Sequence, residues 1–239
     1  DRLSDRLLES LRIKAKKKAD LSEWAKFAKL AHNGQKKVKI AVVGKYFDTG
    51  DFVLSDPYLS VIEALKYSAY ALHTKPELHW LNSKDFEKDP KLVTRLKDFD
   101  GVLVPGGFGG SGIEGKINVI RYCRENKIPY FGLCYGMQLL TVEFARNVAG
   151  LKGAHTTEIN PKTPYPIIDI MPEQKEKLAR KDYGGSMRLG AYPCYLKPKT
   201  IARAVYKKEM VSERHRHRYE VNPKYVGELQ KAGLIFSGV

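Results

Sequence analysis

The sequence predicts an α/β fold of three layers, a mostly parallel central sheet with covering helices, accompanied by a smaller antiparallel sheet. Three observations predict it. From Val38 onward short β-branched runs alternate with helical stretches, the mark of strands joined by crossover helices. Two of those strands end in glycine-bearing turns, at Pro105-Gly106-Gly107 and at Gly132-Leu133-Cys134-Tyr135-Gly136. Beyond Asn160 the prolines at 161, 164, 166 and 172, a charged run from Glu173 to Asp182 and Gly184-Gly185 break this rhythm, so short antiparallel strands are expected there. With 239 residues, 43% of them hydrophobic, the chain is long enough to bury a core of this size.

The elements follow in order. Residues 1 to 19 read as a basic helix with Leu3, Leu7, Leu8 and Leu11 on one side. A second helix starts at Asp20, with Glu23 three residues on, and carries a stripe of Leu21, Trp24, Phe27, Ala28 and Ala31 that is expected to bury. Asn33-Gly34 ends it. Residues 1 to 37 hold 11 Lys or Arg against 5 Asp or Glu and are expected to form a basic helical linker arm entering one domain, residues 38 to 239. Strands are predicted at Val38 to Val43, Glu77 to Leu81, Gly101 to Val104 and Ile128 to Leu133. Asp56 and Pro57 cap and open a helix whose inner face is Leu59, Ile62, Leu65 and Ala69, and further helices are expected near Lys91 to Leu96, Lys116 to Glu125 and Met137 to Asn147. Later strands are predicted at Met187 to Leu189, Tyr192 to Leu196 and Ala202 to Tyr206. A helix at Pro223 to Lys231 then precedes a strand at Leu234 to Phe236.

Composition narrows the function. A net charge of +15 favours anionic partners, yet the basic residues outside the arm are interleaved with acids and no aromatic ladder of the RNA-binding kind accompanies them, so no nucleic-acid partner is expected. No apolar run approaches the roughly 18 residues of a membrane span, and the first residues lack the order of a signal peptide. A soluble, cytoplasmic protein without a membrane partner is the expectation. Three cysteines, Cys123, Cys134 and Cys194, are too few and too irregular for a disulfide framework or a closed zinc site.

Three constellations carry chemistry. Gly132-Leu-Cys-Tyr-Gly136 sits where a strand turns directly into a helix, a nucleophile elbow with sulfur for oxygen, in which the helix N-terminus favours thiolate. Cys134 is the expected nucleophile, against the plain alternative of a small buried cysteine after a strand. The loop after Val104 lies on the carboxyl edge of the sheet, where Gly107 N–H and Tyr135 N–H would together hold an oxyanion; the alternatives are a phosphate-binding turn or an ordinary loop. A Walker loop does not fit, because Ile117 follows Lys116. In Glu213-Arg-His-Arg-His-Arg-Tyr-Glu-Val221, strand alternation puts 214, 216 and 218 on one face and 213, 215 and 217 on the other. An arginine there would hold a carboxylate; a metal on His215 and His217 lacks a third ligand, and a solvated charge run is the bland reading. No metal site is expected.

Together Val104-Pro-Gly-Gly-Phe-Gly109, Gly112-Ile-Glu-Gly-Lys-Ile117, Gly132-Leu-Cys-Tyr-Gly-Met-Gln138, Glu143-Phe-Ala-Arg146, Met187-Arg-Leu-Gly190 and Glu213 to Asn222 resemble the glutaminase domain of the CTP synthase family, a class I glutamine amidotransferase-like fold. The resemblance runs from about Leu21 to Val239. It implies hydrolysis of L-glutamine through a γ-glutamyl thioester, with ammonia passing to a separate synthetase domain that converts UTP to CTP in pyrimidine nucleotide biosynthesis. It places the nucleophile on Cys134, the oxyanion donors on Gly107 and Tyr135, and glutamine contacts on Gly106, Phe108, Gln138, Glu158 and Arg218. It implies a mobile lid over Phe108 to Lys116, including Ser111, Gly112 and Glu114, with Ser111 where the family usually has arginine. No cofactor is implied for this domain; ATP, Mg²⁺ and the activator GTP belong to the whole enzyme, a homo-oligomer. The family's His-Pro-Glu motif does not occur in these 239 residues, so the expectation is a chain cut short or recorded in part, inactive alone or serving only as a glutamine-binding module.

Overall fold

The computed structural model describes residues 3–17, 20–33, 36–45, 58–107, 109–171, 174 and 187–239. The chain divides into two compact units, residues 1–38 with 62–76, and residues 39–61 with 77–239.

In the first unit α1 is Leu3–Ser10 and α2 is Ser22–Asn33. Asp20 accepts from Ser22 N–H at 2.9 Å ahead of α2, while Glu23, its expected partner three residues on, pairs instead with Lys26 Nζ at 2.6 Å. The expected burial of the α2 stripe does not occur. Leu21 and Trp24 are 65% and 66% exposed, and among the described residues of the stripe only Phe27 makes ring contacts outside the helix, 4.9 Å from Tyr67 and 5.9 Å from Tyr70. Both tyrosines lie on α3, Leu59–Ala71, whose Leu59 is exposed instead of lying on an inner face. The helix-opening pair Asp56-Pro57 and the terminator Gly34 lie outside the described residues.

The second unit is built on a sheet of β1 (Lys36–Gly44), β2 (Thr74–Asn82), β3 (Gly101–Val104) and β4 (Tyr130–Gly132), in the order β2-β1-β3-β4. β1 with β3 and β3 with β4 are parallel, so α5 (Ile113–Glu125) serves as the crossover between β3 and β4. Ala41 to Val43 and all of β3 are buried, the continuous apolar reading of a strand covered on both faces. Reciprocal bonds fix the register where β3 begins: Lys39 N–H donates to Asp100 Oδ2 at 2.8 Å, and Asp100 N–H to Lys39 O at 2.9 Å.

Two cores meet at α5. Val119 and Cys123 pack with Ala41, Val43, Val102, Val104, Leu96 and Phe86, the last on α4 (Ser83–Lys88). Ile113, Ile117 and Ile120 pack instead with Tyr135, Leu139, Val142 and Ala145 of α6, Tyr135–Asn147, and with Ile167 and Ile168. Between α5 and α6 lies an ion pair. Arg124 reaches the fully buried Glu143 from Nη2 at 2.8 Å and from Nε at 3.0 and 3.2 Å, and Asn147 Nδ2 donates to Glu143 Oε1 at 3.1 Å.

Two small sheets complete the unit. β5 (His155–Thr156), β6 (Pro166–Ile170) and β9 (Tyr219–Val221) form one, and β7 (Arg188–Tyr195) pairs antiparallel with β8 (Met210–His217) over its whole length in the other. Three expectations are corrected here. The two strands expected at 187–189 and 192–196 form one, Arg188–Tyr195, since Gly190 and Ala191 stay in register with His215 and Arg214. Residues 202–206 lie in a helix, α7 (Ile201–Tyr206), because Thr200 caps it by accepting from Arg203 N–H, a local bond that overrides β propensity. No strand forms at 234–236; after α8 (Pro223–Lys231) pairing begins only at Ser237 to Val239, against Tyr195 to Lys197.

Removing Arg124 would leave Glu143 buried and unpaired. Arg124→Met is expected to lower unfolding free energy by about 3 kcal/mol, the low end for a broken buried pair because Arg124 is itself a third exposed. Urea denaturation checks it.

Candidate active site

The elbow forms where β4 meets α6. Leu133 N–H donates to Val104 O at 2.9 Å, Gly136 N–H to Leu133 O at 2.9 Å and Gln138 N–H to Cys134 O at 3.0 Å, so the helix starts with no intervening loop. The turn is tight enough that a Cβ on Gly132 would come within 2.5 Å of the Gly136 carbonyl carbon, and one on Gly136 would overlap the Val104 carbonyl oxygen. Cys134 is the N-cap of α6 at φ 49°, ψ −104°, a conformation that costs a non-glycine residue about 1–3 kcal/mol. Tyr130 Oη donates to Gly136 O at 2.9 Å and braces the turn from β4.

Cys134 opens on a cavity of about 200 Å³ lined by Gly107, Tyr135, Gln138, Glu158, Met187, Arg216, His217, Arg218 and Tyr219. That is below the roughly 300–1,000 Å³ of pockets for drug-sized molecules and suits a smaller ligand. Six of the expected site residues therefore meet in one place: Gly107, Cys134, Tyr135, Gln138, Glu158 and Arg218. Gly106 stands beside them: a Cβ added there would meet Cys134 Cβ at 3.4 Å, an ordinary contact. Phe108 lies outside the described residues.

The expected lid is only partly a loop. Ile113 to Lys116 form the first turn of α5, and Ile113, Gly115 and Lys116 are buried; a Cβ on Gly115 would overlap the Ser83 carbonyl oxygen. Ser111 lies in the turn before it, and Gly112 is the left-handed N-cap at φ 71°, against Ser83. Glu114 is held away from the cavity, both carboxylate oxygens 3.0 Å from Arg146 Nη1 and one 4.0 Å from His155 Nε2.

The strand alternation expected for residues 213 to 218 fails at its end. β8 stops at His217 and Arg218 is a bend before β9, so Arg216, His217 and Arg218 all line the cavity. Arg216, His217 and Tyr219 are lining residues that sequence reasoning left out of the site, His217 because alternation assigned it to the opposite face from the arginines. Met187 also joins the site, and its signal was present as the first residue of a recurring motif. Among the described residues no histidine nitrogen is hydrogen-bonded to Cys134 Sγ. No group of three or more His, Cys, Asp or Glu among them is arranged to hold a metal.

The thiol is not activated in the way the helix N-terminus suggests. Its pKa is raised, chiefly because the cavity wall desolvates the thiolate; the hydrogen bond with Tyr135 N–H pulls it down, and the negative charge of Glu158 pushes it further up. Cys123 is buried and pushed up to about 12 by desolvation. His155 and His217 are both lowered, by desolvation first and then by Arg146 and His215 respectively.

A sequence profile of the family described as "Glutamine amidotransferase class-I" matches residues 53–239. Among similar proteins are a CTP synthase of Thermococcus gammatolerans, 53% identical over 220 residues covering 92% of this chain and 39% of that protein, and one of Geobacillus kaustophilus, 47% identical over 237 residues covering 99% and 43%. The chain thus spans about two fifths of the length of these curated relatives. A solved structure described as the Trypanosoma brucei CTPS glutaminase domain with bound acivicin superposes with a TM-score of 0.76 at 37% identity, covering 84% of this chain and 75% of that one.

Two outcomes are expected. Iodoacetamide labels Cys134 far faster than the buried Cys123, and because the Cys134 pKa is raised the rate keeps climbing past pH 9; Glu158→Gln, which removes a charge opposing the thiolate, speeds labelling at pH 8. Peptide mass spectrometry at graded pH checks both. A histidine whose folded pKa is lowered takes up its proton more readily in the unfolded chain, so the stabilisation from His155 and His217 is present above about pH 6.5 and is lost as pH falls through their folded values. The urea midpoint is expected to drop between pH 7.5 and 5.5.

With the elbow, the cavity and these similarities in agreement, the chain belongs to the class I glutamine amidotransferases, as a glutaminase domain of the CTP synthase type.

Proposed function

We propose that the cavity binds L-glutamine and that Cys134 breaks its side-chain amide. The observation that carries this is the meeting of a strained cysteine, Gly107, Tyr135 and two opposite charges, Glu158 and Arg218, around one small cavity. A free amino acid offers an ammonium to Glu158 and a carboxylate to Arg218, and an amide lacking either charge leaves one partner unmatched. Ammonium binding also offsets the Glu158 charge, which adds to the desolvation that keeps the thiol protonated, so the substrate itself eases thiolate formation.

Cys134 Sγ then bonds to the amide carbon, and the oxygen takes up negative charge between Gly107 N–H and Tyr135 N–H. Collapse breaks the C–N bond as the leaving nitrogen takes up the proton given up by the thiol, and ammonia departs. Water attacks the thioester, releasing glutamate and the thiolate. His217 is the imidazole lining the cavity, and both its ring nitrogens are engaged, with His215 Nδ1 at 2.9 Å and Tyr219 O at 3.2 Å. These residues by themselves accordingly bind glutamine better than they turn it over, at a rate lower by the roughly 10²- to 10⁴-fold that general acid and base catalysis contributes.

The similarity to proteins named CTP synthase supports a wider role. Residues 1 to 37 act as a linker arm to a synthetase domain, and ammonia from residues 38 to 239 aminates UTP there, with ATP and Mg²⁺ used and GTP sensed by the longer, homo-oligomeric cytoplasmic protein.

A chloromethyl ketone bearing glutamine's amino-acid end is expected to alkylate Cys134 saturably, chloride leaving, with L-glutamine competing. Glu158→Gln and Arg218→Met each raise the half-saturating concentration about 10- to 100-fold, the equivalent of a charge-assisted hydrogen bond of about 1.5–3 kcal/mol. Labelling that never saturates, or that D-glutamine suppresses equally well, refutes the reading.

A further inference from the structure

We propose that His217 is a positioning residue of the glutamine pocket, its side chain fixing the Arg218 bend and the Gln138 amide through one shared acceptor, the Tyr219 carbonyl. This rests on the glutamine reading above and deepens it.

The hydrogen bonds set out the device. His217 Nδ1 lies 3.2 Å from Tyr219 O, and Gln138 Nε2 donates to the same oxygen at 2.9 Å. A peptide carbonyl only accepts, so the proton of the neutral ring sits on Nδ1. Nε2 is then the acceptor, and His215 Nδ1, 2.9 Å away, must donate to it. Because the bond joins residue 217 to the carbonyl of residue 219, it closes a small ring over Arg218, whose backbone links β8 to β9. The same oxygen, by taking Gln138 Nε2–H, fixes which end of that amide is donor and which is acceptor. Arg218 and Gln138 both line the cavity, so one carbonyl orients a cationic and an amide contact together.

The ring is held from behind. His215 meets Tyr192 edge-on at 5.2 Å, the Arg188 guanidinium lies 4.2 Å over the Tyr192 ring, and Arg188 Nη1 is 3.5 Å from Glu220 Oε2. Register pairing of Arg188 with His217 and of Tyr192 with Glu213 places these groups across the β7–β8 ribbon. Burial first, then His215 on β8 and Arg188 on β7, favour the neutral ring, against the opposing pull of Glu220 on β9 and of the Tyr219 carbonyl that receives Nδ1–H. His217 makes no bond to Cys134, so its effect is on binding and not on the thiol.

The test separates those two effects on this chain. Alkylation of Cys134 is followed with the glutamine-shaped chloromethyl ketone and, in parallel, with iodoacetamide, which has no amino-acid end. His217→Ala is expected to raise the half-saturating ketone concentration about tenfold while the saturated rate and the iodoacetamide rate stay within about twofold. His217→Asn, whose Nδ2 stands close to where Nδ1 was, is expected to bring binding back to within about threefold. Cys123 staying unlabelled reports an intact fold. Should His217→Ala expose Cys123, the comparison passes to His217→Leu against His217→Asn, similar in size, with and without a donor, and the Asn variant is expected to bind at least fivefold tighter. An unchanged half-saturation in His217→Ala, an equal loss of iodoacetamide reactivity, or an Asn variant no better than the donor-less one overturns the proposal alone. Non-saturating labelling of the unsubstituted chain overturns the glutamine reading and this proposal with it.

Discussion

The structure depends on one close approach, the backbone of Gly136 against the carbonyl of Val104. Only a residue without a Cβ fits there, and the fit lets α6 begin immediately beyond β4 and beside β3. Everything at the site follows from that starting point. Cys134 is forced into a positive-φ cap that opens on the cavity, and Tyr135 turns its ring into the core. The strain is balanced by packing around it: the Tyr135 ring is 1% exposed, and the buried Lys116 ammonium lies 5.4 Å from its centroid.

The electrostatics then set a division of labour. A helix N-terminus by itself favours thiolate, yet desolvation in a small cavity and the nearby carboxylate of Glu158 outweigh it, and the resting thiol is held protonated. Glu158 adds to that restraint and shares the cavity with the thiol, so the two groups are coupled electrostatically.

The surrounding framework has a different character. Glu114, Arg146 and His155 tie the first turn of α5 to α6 and β5, and Arg124 with Glu143 ties the two helices again further along. These paired charges reach no cavity residue directly. They fix the helices on which Tyr135 and Gln138 stand, so that side of the cavity is set by rigid elements, while Gly106 and Gly107 lie in a loop.

The sequence by itself determined the strand-turn-helix elbow, since glycines two residues either side of a cysteine after an apolar run leave few alternatives. It likewise determined the buried parallel strands around Val42 and Val104 and the helix from Pro223 to Lys231, whose start is written in Asn222 and Pro223. These are features fixed by local backbone chemistry or by unbroken burial. Only the tertiary structure decided the rest. The apolar stripe of α2 gave no sign that Trp24 and Leu21 would stay exposed, because periodicity marks a face without naming a partner. Residues 202 to 206 satisfied a strand pattern until the Thr200 cap was seen to hold a helix. His217 entered the site because pairing with β7 ends the strand there and the chain bends at Arg218, so residues that strict alternation places on opposite faces meet around one cavity. Alternation is a property of a straight strand, and where a strand ends is settled by its neighbour.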